Sequence, residues 1–77
     1  MHKQIIINAL KKELDTYEYY LQYDIALARS IWNHCDKSKP VSTELYYNEY
    51  KRVRNRIRSL KKKLTKIREA IRQVKCL

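Results

Sequence analysis

From Tyr46 to Val74 the apolar residues fall at Tyr46, Tyr50, Val53, Ile57, Leu60, Leu64, Ile67, Ile71 and Val74, in steps that alternate between four and three. That is a heptad seam, and it demands a long helix lying along another helix. The chain has no glycine and a single proline, Pro40. Helices on either side of that proline therefore meet no internal breaker.

The partner lies upstream. Residues 3–35 contain neither Gly nor Pro, and Leu10, Leu14, Tyr17, Leu21, Ile25, Ala28 and Trp32 form an apolar stripe at close to helical period. Asp36 to Val41 interrupt the pattern, and Pro40 disfavours helical dihedrals at Lys39. Ser42 ahead of Thr43 and Glu44 reads as an N-cap followed by an acidic first turn. The expected organisation is one domain over 1–77: a helix over about 3–35, a loop over 36–42 and a helix over about 43–75.

So short a link forces the helices antiparallel. Facing residue numbers then sum to about 78 at equal rise. Trp32 is set opposite Tyr46, Ala28 opposite Tyr50, Leu21 opposite Ile57, Leu14 opposite Leu64 and Leu10 opposite Ile67. The fold class is all-α, a coiled-coil-like two-helix hairpin.

A hairpin of 77 residues buries little. The first helix carries a second stripe about 100° around from its seam, at Ile6, Ala9, Tyr20, Leu27 and Ile31, broken by Glu13 and Asp24. Ile6, Tyr20, Leu27 and Ile31 are the expected surface for self-association or a partner. Two hairpins joined there make a dimeric four-helix bundle. The aromatics, including the Tyr19/Tyr23 pair, read as packing residues.

The remaining face of the second helix is basic. Lys51, Arg52, Arg54, Arg56, Arg58, Lys61, Lys62, Lys63, Lys66, Arg68, Arg72 and Lys75 are opposed in that span only by Glu69, and the chain carries a formal charge of +10. A basic rod of roughly 35 Å, at 1.5 Å per residue, follows several phosphates. Arg52, Arg54, Arg56, Arg58, Lys61, Lys62, Lys63, Lys66, Arg68 and Arg72 are the candidate nucleic-acid contacts. Arg52, Arg54, Arg56 and Arg58 alternate and so cannot all enter one groove. Val53, Ile57 and Leu60 put the seam inside the basic run, unlike the basic region of a leucine-zipper factor, so base readout is not expected. Basic residues at the positions beside the seam also disfavour a parallel pair of second helices.

Enzyme chemistry is not indicated: no nucleophile sits near a base–orienter pattern. His2, His34, Cys35 and Cys76 lack metal-site spacing. The two cysteines are placed at opposite ends of the hairpin, far beyond bridging distance. No cofactor is called for, no apolar run reaches membrane-spanning length, and few cysteines suit a cytoplasmic setting. A basic amphipathic helix at an anionic membrane is disfavoured because its apolar face is already matched.

Two functions follow as expectations. One is a non-enzymatic regulatory or accessory factor that contacts the phosphates of RNA or DNA. The other is a protein-binding inhibitor or adaptor, of the kind phages and mobile elements encode, that blocks a host nucleoprotein or nucleic-acid-binding enzyme by offering it an acidic-surface-seeking, apolar-edged helix pair.

Overall fold

The computed structural model describes residues 2–35, 38 and 40–77, the side chains of 40–42 excepted. It is all-helical: α1 spans His2–His34 and α2 spans Pro40–Lys75, and the two pack against each other antiparallel. The Cα atoms fill a rod of 59 × 14 × 11 Å. Among the described residues no helix is long and apolar enough to cross a membrane.

α1 ends where the His34 ring meets its own last turn. His34 Nδ1 lies 2.7 Å from the carbonyl oxygen of Ser30, which it reaches as an N–H donor. The Cys35 N–H then donates to the Trp32 carbonyl at 3.4 Å, a tightened final turn. α2 begins earlier than its sequence pattern implies. Pro40 is its first helical residue, so Ser42 lies inside the first turn rather than capping it. A first-turn proline costs nothing, since its missing N–H would have had no intrahelical partner and its φ is already set. Asp36, Lys37 and Lys39 of the expected loop lie outside the described residues, as does the side chain of Ser42.

The core is one side chain deep. Ile7, Ile67 and Ile71 form a buried cluster, with Leu10, Leu14, Tyr17 and Val74 packed against it. Among the described residues Val53 and Leu64 are the most completely buried, each 2% exposed. Ala28 is buried toward the loop end. Ile7 continues the α1 seam one step before Leu10, so the seam is longer than the stripe that begins at Leu10.

The rings pair one turn away from the simple facing rule. Trp32 stacks with Tyr50, not Tyr46, at 5.4 Å between centroids and 45° between planes. The cause is the lean of helical side chains toward their own N-terminus. In an antiparallel pair the two leans are opposed, so contacting residues have a larger number sum than facing Cα atoms. Asp24–Arg56 and Tyr17–Lys63 are offset in the same direction by a smaller amount, and the long Arg68 reaching Glu18 carries it further.

Candidate nucleic-acid interface

All ten basic candidates are exposed. The seam divides them between two edges of the hairpin and the back of α2. Residues 54, 58, 61, 68 and 72 follow the seam on one side at helical spacing, and residues 52, 56, 63 and 66 follow it on the other. Lys62 lies on the back.

On the first edge the two helices enclose an open groove of about 430 Å³. Ile25, Ala28 and Ile57 form its floor, and Trp32 and Tyr50 close its loop end. Arg29 and Asn33 come from α1, and Arg54, Arg58 and Lys61 from α2. Four cations thus line one concavity, and no carboxylate does. The Arg54 guanidinium lies over the Tyr50 ring, 5.8 Å from its centroid. That cation–π contact holds it above the groove wall. Arg29 was not among the sequence candidates. Its signal was present: on α1 it lies beside Ile25 and Ala28, on the same side as α2's Arg54, Arg58 and Lys61.

The second edge is built differently. Asp24 is 7% exposed, the one charged residue that is buried among those described. Arg56 meets it with two donors: Nη2 donates to Oδ1 at 3.0 Å and Nε to Oδ2 at 3.4 Å. The pair is a bidentate fork, the stronger geometry for an arginine and a carboxylate. The Asp24 hydrogen bond, then its charge, raise the Arg56 pKa above the ordinary arginine value. Among the described residues no buried side-chain polar atom lacks a hydrogen bond. Arg56 is therefore tied to the other helix by this pair while about half of its side chain stays in solvent.

Compared with family models, characterised proteins and solved structures, the chain matches none of them. The reading of this surface rests on its own chemistry.

Two further arginines have carboxylate partners. Arg68 donates to Glu18 at 3.1 Å across the helices, and Arg52 lies 3.3 Å from Glu49 one turn away. The side chains of both pairs are exposed, so water and salt screen them. Lys63 leans over the Tyr17 ring at 5.4 Å. Arg58, Lys61, Lys62, Lys66 and Arg72 enter no ion pair among the described residues. The ten candidates therefore do not act as one set. Arg54, Arg58 and Lys61 converge with Arg29, and Arg56 points the other way into its own pair.

The apolar candidates also divide. Ile6 and Tyr20 are exposed at 47% and 50%, whereas Leu27 and Ile31 are half-buried. They share the edge that carries Asp24 and Arg56. Near Tyr20 that edge includes Tyr23, Arg52 and Lys63, so it is amphipathic rather than uniformly apolar.

Both cysteines are free, Cys35 half-buried and Cys76 exposed. Among the described residues no three His, Cys, Asp or Glu side chains gather as a metal site would need.

Proposed function

We propose that this protein is a non-enzymatic binding factor that holds nucleic-acid phosphates along the Arg29–Arg54–Arg58–Lys61 edge. One observation carries the reading: four cations from two helices line one groove that contains no carboxylate. Packing such charges together opposes folding through self-repulsion, and an anion laid in the groove relieves it. Arg72 lies further along the same edge, beyond the Arg68–Glu18 pair, and Lys62 and Lys66 on the back and far side add to the long-range field.

The test is a fluorescence-anisotropy titration with labelled nucleic acid at two salt concentrations. Four phosphate contacts give a slope of log K against log salt of about −2.8 on a single strand and about −3.6 on a duplex. Between 50 and 200 mM salt that is roughly a 50-fold or 150-fold loss of affinity, respectively. Affinity that changes less than about five-fold over that range, or no binding at the lower salt, defeats the proposal.

A second reading draws on the exposed Ile6 and Tyr20 with Leu27 and Ile31 beside them. Here two hairpins associate into a four-helix bundle, or the edge docks on a protein and blocks or recruits it. The like charges of Arg52 and Lys63 on the same edge oppose a symmetric pairing, and Glu13 and Glu49 offset them in part. Light scattering at micromolar concentration decides the first form: a monomeric mass excludes the bundle. A stoichiometric protein complex that survives high salt supports the second form.

A further inference from the structure

We infer that the basic groove takes unpaired nucleotides, with a base stacked at Trp32 and the following phosphates on Arg54, Arg58 and Lys61. This rests on the phosphate-binding reading above and adds a substrate class to it. The observations are the rings at the loop end of the groove. Trp32 is 47% exposed, and it stands in the wall of two concavities at once. One is the basic groove; the other is an apolar pocket of about 340 Å³ walled by Ile31, Trp32, Cys35, Thr43, Tyr46 and Tyr47.

The Trp32 indole packs against Tyr50 and still keeps about half of its surface exposed beside the cations. Tyr46 and Tyr47 are exposed with it, at 37% and 52%. Aromatic faces bordering a positive track are the two parts that single-strand recognition requires: stacking for bases and charge for the backbone. Arg54, Arg58 and Lys61 step away from the rings by about 6 and then 4.5 Å along the helix axis. A duplex meets only half of this. Its phosphates reach the cations, but its bases are stacked within the double helix and cannot enter a cleft between two α-helices.

The chain holds one tryptophan, so its fluorescence reports this site alone. The probes are a short oligouridylate, an oligothymidylate of the same length, a duplex of that length and inorganic polyphosphate, each titrated at low salt. The expected result is saturable quenching of Trp32 by the single strands, with the same midpoint as their anisotropy. The duplex and polyphosphate bind without quenching. The oligouridylate and the oligothymidylate differ at both the 2′-hydroxyl and the C5 methyl, so saturable quenching by either strand supports the inference.

Trp32→Leu should weaken the single strands at least five-fold, the lower end of base–aromatic stacking, while Trp32→Phe keeps most of the affinity. Circular dichroism checks that both variants fold, and the quenching experiment on the unaltered protein stands if one does not. Single-strand binding with unchanged Trp32 emission, or equal affinity and quenching with the duplex, overturns the inference and leaves the phosphate reading in place. Failure of every probe, polyphosphate included, removes both.

Discussion

The seam can be tested at Leu64, which is 2% exposed and sits between the two ends of the interhelical contact. Replacing Leu64 with Ala removes three carbon atoms from a fully packed site. Such truncations cost about 2–5 kcal/mol, the upper values where the surroundings cannot collapse into the gap. A core one layer deep has solvent close by and two helices free to approach, so the lower half applies, about 3 kcal/mol. Unfolding entropy is about 2.1 cal/mol/K per residue, or about 0.16 kcal/mol/K for this chain. The melting midpoint should therefore fall by roughly 19 °C. The assay is thermal unfolding followed at the helical circular dichroism band. Ile71→Val, at a residue 8% exposed, is the milder companion. It should cost about 1 kcal/mol, a shift of about 6 °C, and stays readable if Leu64→Ala unfolds outright. A fall of less than about 5 °C for Leu64→Ala would show that the seam is not the packed interface described here, since even a poorly packed leucine costs more.

Other expectations follow from the same contacts. Arg56→Leu leaves the buried Asp24 carboxylate without either donor, so it should lower the urea midpoint more than Asp24→Leu/Arg56→Leu together; the reverse order would remove the pair from the folding interface. Because Asp24 raises the Arg56 pKa, the arginine's contribution is complete below its ordinary pKa and is lost only as pH rises through the raised value. The destabilisation caused by Arg56→Leu should thus be the same at pH 7 and about pH 9, as paired urea titrations would show. Arg58→Ser should reduce the salt slope for single-strand binding by about 0.7, while Lys63→Ser on the opposite edge leaves it unchanged; equal effects would mean that the charge acts only as a diffuse field. Cys76 should react with a maleimide faster than Cys35 in mass-spectrometric time courses, following their exposures.

The helices were legible in the sequence because burial imposes a period, and a heptad repeat sets its apolar stripe on the one face that meets another helix. What the period does not carry is the direction in which side chains leave the backbone. The facing rule put Trp32 on Tyr46, whereas the N-terminal lean of both residues brings Trp32 to Tyr50. The start of α2 was misplaced for a different reason. Pro40 signals a break when read from the α1 side and a helix start when read from the α2 side, and the local sequence is the same in both cases. Asp24 illustrates a third limit. As a charge inside a stripe it reads as an interruption, and only the position of Arg56 on the other helix turns it into a satisfied buried group.

The division between edges follows from the same argument. Taken alone, α2 is basic on both sides of its seam, so its sequence predicts a rod without a preferred face. α1 supplies an asymmetry toward the loop end, although further along the first edge its Glu18 pairs Arg68. On one side it sets Arg29 and Asn33 beside Arg54, Arg58 and Lys61. On the other it sets Asp24 and Tyr20 among Arg52, Arg56 and Lys63, neutralising one arginine and covering part of the charge with ring and aliphatic surface. A near-neutral helix thereby converts an all-round basic helix into a molecule with one carboxylate-free basic groove and one amphipathic edge. The two proposed functions concern different edges, so a nucleic acid in the groove and a protein on the Tyr20 edge would not compete for the same side chains.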